Sequence, residues 1–358
     1  MAAPPPASPQ GWSGSQERPL KKLWSPAFIA LIVTGSVGSL LILVVGLLSG
    51  PLGVASVLAA LPTLAGVVLT FMFLDRLEPE PLSAQLWALT WGTTVAVSGS
   101  ILLELVIAGA GNIDDYGTAV VVAPVVEEAL KGVALYILWK YRVITGVLNA
   151  VVYGGLAAAG FAFIENIGYF LMTSTEDGGA ALISVVVMRG VITPFAHPLF
   201  TAFTAFGVGY AIKHSRREIA VVGFLAAVAV HALWNHLASV AEDVGDLFSS
   251  LGLVMLPLFV LVVAFVLRLR TRERRQLQRA ESMMYDVLPP SMAPLLWDRA
   301  ARARFSRQWL ASGGSKASLR LYVSSLTHLA MSRSERTSVS SANEDALKRT
   351  VQELSPWR

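Results

Sequence analysis

The sequence predicts an all-α, polytopic membrane helical bundle of about eight transmembrane helices. Of the 358 residues, 54% are hydrophobic and only 15% are charged, and the mean hydropathy is +0.60. A soluble domain carries about 25% charged residues, so the composition excludes an ordinary soluble protein. The chain has no cysteine, which excludes a thiol nucleophile, a cysteine-ligated zinc site and any disulfide.

Eight apolar stretches are long enough to cross a bilayer, which takes about 20 helical residues. They lie at residues 26–48, 52–74, 84–109, 119–139, 146–172, 183–212, 218–239 and 247–267. The sixth stretch is longer than one helix needs and is interrupted by Arg189, Pro194 and Pro198. Because proline breaks or kinks a helix, we expect this stretch to begin as an outer or re-entrant segment.

The charges between these stretches predict the orientation of the bundle. Lys and Arg accumulate in the cytoplasmic connections of membrane proteins. Here they occupy alternate connections, at Arg76 and at residues 140–142, 213–217 and 268–275. The intervening connections contain no Lys or Arg. This alternation predicts that both termini are cytoplasmic and that the chain is a multi-pass protein of the cell (inner) membrane.

Two segments flank the predicted membrane domain at residues 26–267. Residues 1–25 are rich in Pro, Ser and Gly, and we expect them to form a disordered cytoplasmic N-terminus. Residues 268–358 hold 17 Lys and Arg against 8 Asp and Glu, a net charge of +9. They predict a basic cytoplasmic extension with short amphipathic helices near Leu295–Leu310 and Leu319–Met331. A basic segment beside a membrane favours contact with anionic lipid over binding of nucleic acid.

Ionisable and amide side chains lie inside several of the apolar stretches. These residues are Glu127, Glu128, Lys131, Glu165, Asn166, Arg189, His197, His231 and Asn235. A charge at the bilayer centre costs about 2.5–3.5 kcal/mol on insertion scales, so this number of polar residues indicates a functional site. With a rise of 1.5 Å per residue, Glu127, Glu165 and His231 fall roughly 10–13 Å from the outer edge. We therefore expect one polar layer in the outer half of the membrane.

The residue types in this layer are those of a metal or acid–base site. Lys131 follows Glu127 by four residues and Glu128 by three, so it can pair with either acid. Two acids against one base leave a carboxylate for acid–base or metal chemistry. His231 and Asn235 share a helical face, and histidine is the commonest metal ligand. The alternative is that these groups only pair with one another inside the bundle.

Two other classes of protein also fit polar residues in a membrane bundle. An ion- or proton-coupled transporter uses Glu and His chains across helices, but the predicted layer occupies one leaflet and we find no paired halves. A non-catalytic membrane scaffold is the third hypothesis. The sequence has no H-E-x-x-H zinc motif and no G-x-S-x-G elbow, and no aspartate within a predicted span to form an aspartyl dyad.

Over about residues 60–240 the chain resembles the PrsW family of intramembrane proteases, and it is distantly similar to the CAAX-prenyl endopeptidase group. The motifs that carry the resemblance are Glu-Pro-Glu-Pro at 78–81, E-E-x-x-K at Glu127–Lys131, F-x-x-x-E-N at Phe161–Asn166, the His197 segment and H-x-x-x-N at His231–Asn235. The resemblance implies proteolysis of single-span membrane-anchored proteins, such as anti-sigma factors cut on their outer side.

The motifs and their chemistry together predict three groups of site residues. The predicted ligands of a divalent metal, with zinc the first choice, are His197, His231 and Glu128, or Glu127 in its place. The predicted catalytic residues are Glu127, Glu128, Glu165 and Asn235. The predicted supporting residues are Lys131, Asn166 and Arg189. In this hypothesis the glutamate that does not bind metal is the general base, Asn235 stabilises the oxyanion, and Lys131 keeps the acids ionised. Without a metal, the acids would activate water directly.

Overall fold

The computed structural model describes residues 22–76, 80–241, 244–335 and 341–356. These residues form helices and no strand, which confirms the predicted all-α bundle. They fall into two compact units. The membrane unit is drawn from Pro19–Leu74 and Glu80–Val266, and the C-terminal unit from Asp75–Pro79 and Leu267–Arg358. Most of the predicted disordered N-terminus, and Glu78 of the Glu-Pro-Glu-Pro turn, lie outside the described residues.

Nine principal helices begin in the described membrane unit. They are α1 (Pro26–Leu48), α2 (Gly50–Leu74), α3 (Leu82–Gly111), α4 (Ala123–Lys140), α5 (Val147–Glu176), α6 (Gly178–Val186), α7 (Ala196–His214), α8 (Glu218–Val240) and α9 (Leu256–Arg279). By length and composition, seven stretches of this bundle can cross a membrane. The predicted fourth span is present as α4 but is not among the seven, because it carries Glu127, Glu128 and Lys131 in a single 18-residue helix.

The predicted interruption of the sixth span is confirmed. Helix α6 ends at Val186, and a π-helical segment, Val187–Ile192, carries Arg189. Residues 193–195 then form a break before α7 begins at Ala196. Pro198 is tolerated in the first turn of α7, because the N–H groups of a first turn have no partner within the helix.

Helix α5 lies at the centre of the membrane unit and is buried along most of its length. It packs against α2, α3 and α7. The approach to α3 requires glycine on both sides. A Cβ at Gly92 would collide with the carbonyl oxygen of Ala157, and one at Gly160 would collide with that of Leu89. Close backbone packing through small residues stabilises helix pairs in lipid, where the hydrophobic effect does not drive helices together.

The outer helices expose the apolar side chains that a lipid environment accepts. On α1, the side chains of Val33, Val37, Leu41 and Leu48 are all exposed. A soluble protein rarely exposes an apolar surface of this extent. The pattern agrees with an integral, multi-pass membrane protein whose polar groups are turned inward.

Glu80, which lies just before the start of α3, is bonded to the central helix. The Glu80 carboxylate accepts hydrogen bonds from Asn149 Nδ2 and, at 2.7 Å, from the Tyr153 hydroxyl. Both donors belong to α5. The acid therefore ties the start of α3 to the central helix, which sequence reasoning did not anticipate because the partners are about 70 residues away.

The C-terminal unit has a hydrophobic core of its own. Its helices are α10 (Arg299–Ala311), α11 (Lys316–Glu335) and α12 (Ser341–Leu354). Both predicted amphipathic segments are helical, and their apolar faces meet around Trp309, Tyr322 and Leu329. The buried Arg302 donates from Nε to the Leu295 carbonyl oxygen at 2.6 Å. The extension is therefore a folded unit, and not only a pair of surface helices.

Candidate active site

Four helices and the π-helical segment bring the predicted polar residues to one cavity of about 580 Å³. Seven of the predicted site residues line this cavity: Glu127, Glu165, Asn166, Arg189, His197, His231 and Asn235. The other two, Glu128 and Lys131, are fully buried and are not part of its lining. Residues from α4, α5, α7 and α8 thus meet, as their similar depths predicted.

The buried ammonium group of Lys131 holds the two acids of α4. Its Nζ donates to Glu127 Oε2 at 3.0 Å and to Glu128 Oε1 at 2.9 Å. It also lies 3.0 Å from His197 Nδ1 and 3.9 Å from the centre of the Phe161 ring. The helical spacing predicted the first two contacts. The contact with His197 of α7 depends on tertiary packing.

The protonation of the His197 ring follows from its two neighbours. An ammonium group only donates hydrogen bonds, so Nδ1 carries a lone pair and accepts from Lys131. The ring hydrogen therefore lies on Nε2, which is 2.6 Å from Glu165 Oε2. Arg189 donates to the same oxygen at 2.6 Å through Nη2, and to Asn166 Oδ1 at 2.7 Å through Nε. Glu165 and Arg189 therefore form an ion pair between α5 and the π-helical segment.

The ring of His231 is held by the two acids of α4, and its N–H lies on Nδ1 where that of His197 lies on Nε2. Its Nδ1 lies 3.2 Å from Glu128 Oε1, and its Nε2 lies 3.9 Å from Glu127 Oε2. Glu128 also accepts a hydrogen bond from the Thr201 hydroxyl at 2.9 Å. The Phe200 ring stacks on the imidazole with ring centres 4.5 Å apart. Nδ1 donates to the carboxylate, so Nε2 is the nitrogen that presents a lone pair.

Three side chains, Glu127, His197 and His231, could together hold a metal ion. Each offers one ligand atom, and these atoms lie within 4.8 Å of one another. The Glu127 oxygen is 3.7 Å from His197 Nδ1 and 3.9 Å from His231 Nε2. Two ligands on one ion, each at about 2.1 Å, can be at most about 4.2 Å apart. Both histidines also donate their other ring N–H to a carboxylate, as metal-binding histidines do.

The metal-capable group contains Glu127 where the predicted set contained Glu128. Glu128 has both oxygens engaged, by Lys131 and His231 on Oε1 and by Thr201 on Oε2. It lies outside the cavity lining. The sequence could not separate two adjacent acids, because their difference depends on which helices pack on each side of α4.

The remaining cavity wall holds further polar residues, of which Asn235 was predicted and several others were not. Asn235 lines the cavity and donates from Nδ2 to the Ala119 carbonyl oxygen at 2.8 Å. Ser100, Glu104 and Tyr169 also line it, and the Tyr169 ring lies 3.9 Å from the guanidinium carbon of Arg189. For Glu104 the only signal in the sequence was a charge in an apolar span.

The chain also matches known proteins over this region. The family model described as PrsW family intramembrane metalloprotease matches residues 80–267. A Protease PrsW of Geobacillus kaustophilus (strain HTA426) is 26% identical over 198 residues, which cover 54% of this chain and 82% of that protein. A Protease PrsW of Clostridioides difficile (strain 630) is 30% identical over 193 residues, 50% of this chain and 77% of that protein. No solved structure matches the chain.

The family match favours the protease over the transporter and scaffold hypotheses. Because the family model covers more than half of the chain, this chain belongs to the PrsW family of intramembrane metalloproteases.

Proposed function

We propose that this protease hydrolyses a peptide bond of single-span membrane proteins in the cavity that Glu127, His197 and His231 line. The observation that carries the proposal is that these three residues line one cavity and that each offers a ligand atom within 4.8 Å of the other two. A cavity of about 580 Å³ is large enough for a short stretch of peptide.

We assign Glu127, His197 and His231 as the ligands of one divalent ion. Zinc is our first choice, because a three-residue set of nitrogen and oxygen ligands is typical of its catalytic sites. Such an ion supplies Lewis-acid activation of water and of the scissile carbonyl. Glu128 then acts as the partner that orients His231, which revises its predicted role as a ligand.

Glu165 is the glutamate that we assign as general base. Its Oε2 accepts from His197 and Arg189, while Oε1 has no hydrogen bond within the described residues. Because Glu165 lines the cavity, Oε1 can take a proton from the attacking water and return it to the leaving amine. Arg189 and Asn166 fix the orientation of this carboxylate. The second hydrogen of the Asn235 amide is available for the oxyanion of the tetrahedral intermediate.

We also propose that the site opens to the outer half of the cell membrane and that both termini are cytoplasmic. The support is the distribution of Lys and Arg among the connections. Since the chain has no cysteine, single-cysteine variants can report orientation directly. A membrane-impermeant maleimide added to intact cells should label Asp177→Cys, between α5 and α6, and should not label Ser215→Cys after α7. The opposite labelling would contradict this orientation, and with it the outer position of the site.

The basic end of α9 is our proposed contact with anionic lipid. Arg268, Arg272 and Arg275 are exposed on it, and each basic residue near an anionic surface adds about 1 kcal/mol to binding. The full protein should gain activity in vesicles that contain phosphatidylglycerol relative to neutral vesicles, and neutralising these three arginines should remove the gain. An equal gain in the variant would contradict the proposal.

The central test compares two histidines of the same helix. His231→Ala should lose bound metal and cleavage of a single-span test substrate. His236→Ala is the matched control, because His236 contacts the Tyr116 hydroxyl at 2.8 Å and does not line the cavity. Metal content is measured on the purified, folded proteins.

Full activity of the folded His231→Ala variant, or equal losses in both variants, would contradict the assignment of the site. Activity lost in His231→Ala while wild type contains no metal would support direct activation of water by the glutamates.

A further inference from the structure

Two side chains on the cavity face of α3 have polar atoms that no described residue satisfies. Ser100 is only 1% exposed. Its Oγ and the Oε1 of Glu104 are both buried, and neither has a hydrogen-bond partner among the residues that the structure describes. Both residues line the cavity that also contains Glu127, His197 and His231.

Other hydroxyl groups of α3 near Ser100 have hydrogen-bond partners, so the lack of a partner is specific to the position of Ser100. The Thr94 hydroxyl donates to the Thr90 carbonyl oxygen one turn earlier at 2.6 Å. The Ser98 hydroxyl donates to the Gly35 carbonyl oxygen of α1 at 2.7 Å. A buried polar group without a partner destabilises the protein, which makes a pair of them on one cavity wall a candidate binding site.

Lys131 does not serve as the missing partner of Glu104. Its ammonium group has three hydrogens, and Glu127, Glu128 and His197 receive them at 2.9–3.0 Å. While Lys131 makes these three contacts, a donor for Glu104 must come from whatever enters the cavity.

The substrate of an intramembrane protease offers such groups at the moment of cleavage. A transmembrane helix satisfies its own N–H and C=O groups, and unwinding it around the scissile bond frees them where the bilayer core supplies no water. A carboxylate oxygen accepts from an N–H, and a serine hydroxyl donates to a C=O. Ser100 and Glu104 together therefore provide one donor and one acceptor.

Their spacing also matches an extended chain. Four residues of helix rise roughly 6 Å, so the two side chains start about that distance apart along α3. An extended chain repeats its same-facing N–H and C=O groups every two residues, roughly 6.6–6.8 Å. A C=O lies between two such N–H groups on the same edge, so a stretch of two residues spans the start points of both side chains.

We propose that Ser100 and Glu104 form a main-chain binding ledge that holds an unwound stretch of the substrate beside the catalytic residues. The Ser100 hydroxyl donates to a substrate carbonyl oxygen, and Glu104 Oε1 accepts a substrate backbone N–H. The ledge rests on the proposed function, in which the substrate enters this cavity. It recognises the peptide backbone, so it selects for unwound chain and not for a particular side chain.

Steady-state kinetics on a synthetic single-span peptide test the ledge. Ser100→Ala and Glu104→Leu should each raise KM on the order of tenfold, the size expected for one hydrogen bond that involves a buried or charged partner. The value of kcat and the metal content should stay close to those of wild type. Glu104→Gln should have a smaller effect because its amide oxygen still accepts. Ser98→Ala is the matched control, since Ser98 lies on the same helix outside the cavity lining.

Replacing single backbone amides of the peptide by esters locates the partner of Glu104. At one position the ester should weaken binding to wild type on the order of tenfold and leave binding to Glu104→Leu unchanged. An unchanged KM in both ledge variants, or the same ester effect in wild type and Glu104→Leu at every position, would overturn the ledge.

Measuring peptide affinity in the His231→Ala background separates the two proposals. The ester effect should persist there, because the ledge does not depend on catalysis. If it persists while metal and cleavage are unaffected by His231→Ala, the ledge stands and the assignment of the catalytic site fails. If it is absent although His231→Ala behaves as proposed, only the ledge fails.

Discussion

Lys131 Nζ lies 3.0 Å from His197 Nδ1, which is the nitrogen whose lone pair we assign to the metal. The ammonium group and a metal ion need the same lone pair, so the two contacts exclude each other at His197. Lys131 keeps its bonds to Glu127 and Glu128 as alternatives. Metal binding is therefore coupled to a movement of Lys131 within a fully buried cluster.

Replacing Lys131 by methionine should destabilise the protein strongly. The change leaves Glu127 and Glu128 buried without their shared cation, and removing one partner of a buried ion pair costs about 3–5 kcal/mol. Thermal unfolding of the protein in detergent measures the effect. Lys140→Met, an exposed lysine at the end of the same helix, should behave like wild type. An equal loss in both variants would show that the buried position is not the cause.

Replacing Arg189 by lysine should reduce activity on the order of tenfold at saturating metal. A lysine replaces the two-pronged contact with Glu165 and Asn166 by a single point charge, and one charge-assisted hydrogen bond is worth about 1.5–3 kcal/mol. Arg189→Gln should reduce activity further because the charge is lost as well. Cleavage rates of purified protein at matched metal content measure both effects. Full activity of the lysine variant would exclude a role for the guanidinium geometry.

Replacing Gly92 by alanine should destabilise the bundle, because the new Cβ collides with the Ala157 carbonyl oxygen of α5. Forcing an extra carbon into a packed interface costs about 1–3 kcal/mol. Gly66→Ala on α2 is the matched control, as a Cβ there meets nothing within 4 Å. Since alanine is the better helix former, the control should keep or gain stability. The unfolding temperatures of both variants in detergent measure the difference. A Gly92→Ala variant as stable as wild type would contradict the close packing of α3 on α5.

The acid stability of the C-terminal unit should depend on Asp286. Hydrogen bonds from Arg333 at 2.7 Å, and secondarily from Lys348, lower the pKa of Asp286 to about 2 from its usual 3.8. A lowered pKa in the folded state means that the carboxylate stabilises the fold above pH 3.8, and that this contribution is lost as the pH falls toward 2. Wild type should therefore lose more thermal stability between pH 5 and pH 2.5 than Asp286→Asn.

Asp345→Asn controls for a simple change of net charge in the same unit, because Asp345 is exposed. It should follow the wild-type dependence on pH. If Asp286→Asn also follows the wild-type curve, the Arg333 contact does not carry the acid stability.

Much of the site was predictable because helical geometry is local. Glu127, Glu128 and Lys131 fall within one turn of one helix, so their mutual contacts follow from spacing alone. The shared depth of Glu165 and His231 predicted that separate helices would bring their polar groups together. The break near Arg189 followed from its prolines.

The features that sequence reasoning missed all depend on partners far along the chain. Glu80 is held by Asn149 and Tyr153 of α5, and Ser100 differs from Ser98 only in the surface that each meets. The choice of Glu127 as the metal-capable acid follows from the way in which α7 and α8 both pack on α4. None of these contacts has a local signature.

The sequence by itself determined that this is a helical membrane protein with a set of buried acids and histidines. Segments that cross a bilayer must be helical and mostly apolar, so ionisable residues within them are easily recognised. The tertiary structure alone decided which atom of each residue faces the cavity. Adjacent residues such as Glu127 and Glu128 point about 100° apart on a helix, so the neighbouring helices, and not the residue types, separate the metal-capable carboxylate from the one that orients His231.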